Sequence, residues 1–227
     1  YLWGDRSNLD KIVAEPSQSS FQEGLAATEP QTSIRYDDPI DFETLQSENS
    51  DICAWLEIPG TKISYPVLYH EGDNSYYLTR DSKGNASNNG GLFIEDYNEP
   101  DFEDPVTVIY GHNMRSKAMF GALQSYFSDG KWFSENLTIK IYLPGKTLKY
   151  AVFAAVPYSN KHILFYNNFY NESQFNSFFD GIYATRSLAA NFCEGNDPKF
   201  GGHVLILSTC LNGDRTQRYL VIAKETE

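Results

Sequence analysis

From Leu56 onward the chain is cut into short apolar runs, each stopped by Gly, Pro, Asn or Asp. That punctuation limits the fold more than any other feature. The runs are too short for helices and are rich in β-branched and aromatic residues, so they are predicted to be strands. They read "KISYPVLY", "SYYLTRD", "GGLFIEDY", "VTVIYG", "TIKIYL", "KYAVFAAVPY", "HVLILST" and "RYLVIAK". Within "YLPGKTLKY" the Pro-Gly pair marks a hairpin turn. Strands with continuous apolar cores need cover on both faces. The predicted class is therefore mainly β, a closed or nearly closed β-barrel of about eight strands.

Helical patterns interrupt and precede the strands. "KAMFGALQSYF" is one insertion. A longer one, "NESQFNSFFDGIYATRSLAANF", sets Phe175, Phe178, Phe179, Ile182 and Tyr183 at helical spacing just before the last two strands. These aromatics are expected to be core. Upstream, "DFETLQSENSDICAW" places Phe42, Leu45, Ile52 and Trp55 roughly on one face and is expected to be a helix carrying Cys53. A further helix is expected at "NLDKIVAEP", capped by Asn8 and stopped by Pro16. Residues 1–38 read as a polar leader or stalk, and 39–227 as one domain.

Composition excludes some functions. Thirty Asp and Glu against 18 Lys and Arg give a net charge of -12. A nucleic-acid partner is therefore not expected, because phosphate recognition needs a basic footprint. Cys53, Cys193 and Cys210 share no metal-finger spacing, and an odd number leaves at least one thiol free. No run is long enough to span a bilayer. The chain starts at Tyr1, so any membrane attachment is expected through an N-terminal segment absent from this fragment.

The candidate chemistry lies at strand ends. "HVLILST" delivers Cys210, and the seven residues "LNGDRTQ" turn the chain back into "RYLVIAK". Antiparallel pairing of these strands brings Arg218 near Cys210. "VTVIYG" delivers His112 in the same way, and Gly111 before it permits an unusual backbone angle that would aim the imidazole. A thiol and an imidazole at strand ends are the minimum outfit for nucleophilic catalysis, and Arg218 adds a permanently charged donor that can stabilise an oxyanion. Taken singly, each has an ordinary alternative: a small buried hydrophobe, a structural histidine, a surface arginine. His203 reads as structural, and His70 and His162 as solvated loop residues. Cys53 and Cys193 read as inert thiols. The acids of "EDYNEPDFED" read as a solvated loop in preference to a calcium site.

Taken together, "LILSTC" with "RYLVIAK", and "IYGHNM" with "MFGAL" upstream, resemble the sortase family of cysteine transpeptidases, class B above all. "WLEIPGTKISYPVL", "YYLTRD" and "GGLFIEDYNEPDF" extend the resemblance from about Asp41 to the end of the chain. It implies Cys210 as nucleophile, His112 as catalytic histidine and Arg218 as the arginine before the last strand. Arg218 is preferred to Arg215 because it abuts "YLVIAK". Ser208, Thr209 and Asn113 would line or support the substrate site. The implied partners are the sorting-signal peptide of a surface protein and an amine acceptor, from a cell-wall precursor or a pilin. No metal or organic cofactor is implied, and the location would be the extracytoplasmic face of the membrane. Wall anchoring and pilus polymerisation both fit; the absence of an obvious lid segment favours anchoring. A thiol hydrolase and a non-catalytic barrel that binds surface partners are the competing readings.

Overall fold

The last two strands organise the structure. β8 (Val204–Leu211) and β9 (Asp214–Thr226) form an antiparallel hairpin in which Val204 pairs with Lys224 and Cys210 with Arg218. The two-residue turn Asn212–Gly213 joins them, with Gly213 at φ +84°, a conformation that favours glycine. The expected seven-residue loop is thus mostly strand. The register slips between Cys210 and Leu211, so the extra residues lie in a bulge on β9.

A computed structural model describes residues 39–226, without the side chain of Arg215. The leader and the Asn8–Pro16 helix lie outside the described residues. The other strands are β1 (Ile52–Glu57), β2 (Ser64–Tyr69), β3 (Leu92–Ile94), β4 (Val106–Tyr110), β5 (Thr138–Leu143), β6 (Lys146–Ser159) and β7 (Asn191–Phe192). Their order is β5-β1-β2-β3-β4-β8-β9-β6, and β5 pairs again with β6. That last pairing closes an eight-stranded mixed barrel, with β7 added on β6. Among the described residues, closure leaves no long strand edge for another chain to pair with.

Side chains inside the barrel, among them Leu56, Val67, Ile109, Ile141, Leu207 and Val221, form the main core. The outer faces of β4, β6, β8 and β9 carry a second core of Val108, Phe153, Ile206 and Ile222. α5 (Glu172–Tyr183) covers it with Phe175, Phe178, Phe179 and Ile182, as the helical spacing predicts. The helix opens at Asn171, whose side chain accepts from Gln174 N, and ends at Tyr183. The rest of the insertion is turns and β7. A short helix, α4 (Ile163–Tyr166), precedes α5 and has no counterpart in the sequence reading.

Three expectations are corrected. The "DFETLQSENSDICAW" helix is only α1 (Phe42–Glu48), capped by Asp41; Asn49 leaves the helix with φ -152°. Ile52, Ala54 and Leu56 are the buried positions of β1; Ala54 and Leu56 point into the barrel, a register irregularity before Ala54 turns Ile52 to the outer cluster, and Cys53 is a strand residue. Phe42, Leu45, Ile52 and Trp55 do meet in one cluster, through tertiary packing. "SYYLTRD" is a 3-10 turn over Tyr76–Leu78 with Tyr77 buried. "KAMFGALQSYF" is helical only in α2 (Leu123–Phe127), and α3 (Gly130–Glu135) follows it.

The α5 cover makes a testable demand on stability. Phe179 packs 4.7 Å from Phe175 and 5.9 Å from Phe153, ring centre to ring centre. Phe179→Ala is expected to cost about 3–5 kcal/mol in urea unfolding, the cost of a large cavity in a rigid core. A loss below about 1 kcal/mol would mean that α5 is not fixed to the barrel by these rings.

Candidate active site

Parallel pairing of β4 with β8 aligns Tyr110 with Ser208, so the residues that follow each strand emerge side by side. Gly111 N donates to Ser208 O at 3.1 Å, and Thr209 Oγ1 donates to Gly111 O at 2.7 Å. These bonds carry the alignment past the end of β4. His112 and Cys210 consequently line the same cleft, about 330 Å³ in volume, with Arg218 beside them.

Arg218 Nη1 stands 3.7 Å from Cys210 Sγ, the contact that the hairpin register requires. Asn113 closes the other side: its Nδ2 donates to Cys210 O and to Asn212 Oδ1, both at 2.7 Å. Asn212 N donates in turn to Gln124 Oε1 at 2.9 Å, which ties the turn to α2. Asn113 therefore holds the cysteine backbone. Thr209 clamps two strands, and buried Ser208 lines the cleft floor.

His112 Nε2 lies 2.8 Å from Leu78 O. A carbonyl oxygen can only accept, so Nε2 carries a hydrogen, and Nδ1 is left to exchange protons. Gly90, at φ +62°, backs the imidazole; a Cβ there would sit 2.8 Å from His112 Cδ2. Gly111 plays a different part from the one expected. Its φ is not in the left-handed range, but a Cβ would meet Leu92 Cδ2 at 2.4 Å and Phe120 Cδ2 at 2.6 Å. Close packing, not backbone freedom, requires glycine before the histidine.

The far end of the cleft holds groups for which the sequence indicates no part in the site. His162, expected in a solvated loop, caps α4: its Nδ1 accepts from Phe165 N at 3.0 Å, while its Nε2 lies 2.8 Å from Glu95 Oε2. Burial holds the Glu95 carboxyl above its ordinary range, and the His162 ring opposes that shift. Burial, then Glu95, push the Tyr110 hydroxyl up. Leu78, Phe93 and Ile163 supply apolar wall. No local signal in the sequence joins Glu95 to His162, because their meeting depends on closure of the barrel.

The remaining candidates settle into structural roles. His70 pairs with Asp51 at 2.6 Å and stacks on Tyr76, so it too is less solvated than expected. His203 pairs with Glu225 at 2.7 Å. Cys53 is partly exposed as a residue, but its thiol reaches Val67 O and burial pushes it up to about 12. In the acidic loop, Asp104 accepts from Asn98 Nδ2, Glu99 N and the Tyr170 hydroxyl, so it is a buried structural acid. No group of three or more His, Cys, Asp or Glu among the described residues is placed to hold a metal ion.

The sortase domain model matches residues 56–226, three quarters of the chain. The chain belongs to the sortase family. It is class B-like: it is 29% identical to sortase B of Staphylococcus aureus over 224 residues, 97% of this chain and 84% of that one. It is 32% identical to sortase B of Listeria monocytogenes over 117 residues, 52% of this chain and 46% of that protein. Among solved structures, Clostridium perfringens sortase B superposes with a TM-score of 0.73 at 25% identity, covering 82% of this chain and all of that one. A Streptococcus pyogenes class B sortase involved in pilus biogenesis gives 0.70 at 28% identity, covering 83% and 100%. Sortase membership supports a cysteine-transpeptidase type of activity in general.

Two outcomes check this geometry. Gly111→Ala is expected to lose about 1–3 kcal/mol in urea unfolding, the usual cost of overpacking. An unchanged midpoint would show that Leu92 and Phe120 move aside freely. In a second experiment at pH 8, iodoacetamide should modify Cys210 and leave Cys53 intact, because the Cys53 thiol stays protonated well above that pH. Peptide mass mapping that finds Cys53 alkylated first would contradict the placement.

Proposed function

We propose that this sortase is a cysteine transpeptidase. It cleaves a C-terminal sorting motif after Thr and joins the surface protein to an amine of the cell-wall peptide. The observation that carries the reading is Arg218 Nη1 at 3.7 Å from Cys210 Sγ, in a cleft also lined by His112. The sorting peptide lies in that cleft, and the Cys210 thiolate attacks the Thr carbonyl. Arg218 stabilises the tetrahedral oxyanion, a fixed charge placed where negative charge develops. His112 gives a proton to the departing amine, leaving a thioacyl enzyme, and then takes one from the incoming amine. Ser208, Thr209 and Asn113 support substrate and nucleophile.

The domain, residues 39–227, works at the extracytoplasmic face of the membrane, held there through a segment N-terminal to it. No helix among the described residues is long and apolar enough to cross a membrane. Wall anchoring is the primary reading; similarity to a class B sortase involved in pilus biogenesis keeps a pilin lysine as the second acceptor.

The test is a panel of fluorogenic pentapeptides of NPQTN, NPxTG and LPxTG type, with and without an amine. Cys210→Ala is expected to abolish cleavage, and Arg218→Ala to lower kcat/KM by about 10²–10³-fold. Added amine should convert hydrolysed product into ligated product. Cleavage with no transfer to any amine would identify a thiol hydrolase. No Cys210-dependent cleavage, together with failure of a peptide-directed electrophile to label Cys210, would favour a binding module.

A further inference from the structure

Cys210 borders two depressions. The cleft just described reaches it from the side of Ser208 and Arg218. A second depression, of about 580 Å³, lies beyond it between the loop after His112 and the Asn212–Gly213 turn. Along β8 the two meet at the nucleophile: Ser208 and Thr209 face the first, Leu211 and Asn212 the second, and Cys210 both.

The second depression differs in charge from the chain around it. Among the described residues, its ionisable lining groups apart from the thiol are Arg115 and Lys117, with no carboxylate, in a chain carrying 30 acids and 18 bases. Asp214, next to the turn, is engaged by Thr216 and Gln217. The loop bearing the two cations is also built to keep its shape. Lys117 N donates to Met114 O, Gly121 N donates to Ala118 O, and Phe120 N donates to His112 O. A Cβ on Gly121 would sit 2.1 Å from Met114 O. Lys117 and Met119 adopt left-handed backbone angles of +66° and +50°, which non-glycine residues take only where surrounding structure holds them. Lys117 Nζ reaches Ser125 Oγ at 2.9 Å.

A transpeptidase must bring two substrates to one sulfur. Once the donor is bonded to Cys210 as a thioester it occupies the first cleft, so the second substrate needs another approach. We propose that the second depression is the acceptor site and that it takes an amine bearing a carboxylate, which Arg115 and Lys117 hold. The inference rests on the transpeptidase reading above. In the transfer, the neutral amine nitrogen attacks the thioester carbon, the C–N bond forms and the C–S bond breaks. Sulfur leaves as the thiolate, and the proton lost by nitrogen passes to His112. Two cations would repel a simple ammonium ion; the carboxylate of the acceptor reverses that sign.

The experiment compares triglycine with triglycinamide as acceptors, using the donor peptide that the protein cleaves fastest. The two differ in a terminal carboxylate against an uncharged amide. At low ionic strength triglycine is expected to reach half-saturation at a concentration about fivefold lower, the size expected for two exposed charge contacts. The advantage should shrink as salt is raised. In Arg115→Gln/Lys117→Gln the ratio of the two acceptors should fall to about one, and in Arg115→Lys/Lys117→Arg it should survive. Because the reading is a ratio within one protein, a general loss of activity does not imitate it. Equal use of both acceptors by the parent protein, or a preference that persists in the double Gln variant, would overturn the acceptor site alone. Absence of Cys210-dependent cleavage would overturn the transpeptidase reading and the acceptor site with it.

Discussion

The candidate active centre depends on the register of one hairpin. Pairing of Cys210 with Arg218 across β8 and β9 brings a thiol and a guanidinium together without a dedicated loop. A slip of one residue would turn the alternate side chains of these strands to the opposite face of the barrel. Register is secured by burial on both sides. Leu205, Leu207, Val221 and Ala223 point into the barrel, while Ile206, Leu220 and Ile222 point toward α5. The geometry of the candidate site thus draws its precision from core packing, and the cost of disturbing that packing protects it.

His112 reaches the same place by a different device. Its strand runs parallel to β8, and two bonds beyond the ladder, from Gly111 N and to Gly111 O, lock the strand ends together. Leu78 O and the bare face of Gly90 then set the imidazole from a segment far away in sequence. Asn113 continues the link to the backbone of Cys210. The His112 ring and the Cys210 backbone are therefore held by neighbours that do no chemistry, which is what preorganisation requires.

Much of this was legible in the sequence, for identifiable reasons. Seven of the eight predicted strands form because their apolar runs have strand length and β-rich composition, and the Cys–Arg juxtaposition follows from hairpin pairing alone. The failures are equally physical. Ile52 and Trp55 share a cluster with Phe42 and Leu45, so their spacing imitated a helix, although Asn49 ends α1 and β1 takes over. Tyr76–Leu78 has strand composition but turns as a 3-10 segment, and that turn delivers Leu78 O to His112. Gly111 was expected for its backbone freedom and is required for its lack of a side chain. Glu95 and His162, remote in sequence, meet only when the barrel closes, and no local pattern announces such a pair.

The proposed transpeptidation requires a covalent bond at one sulfur. The most direct measurement is intact-protein mass spectrometry after rapid mixing with a cleavable sorting peptide, with no amine present, followed by peptide mapping. A thioacyl intermediate gives a transient mass increase equal to the N-terminal fragment of the peptide, carried on Cys210 and released by hydroxylamine. Turnover of the peptide with no such adduct, or an adduct on Cys53 or Cys193 with Cys210 unmodified, would contradict it.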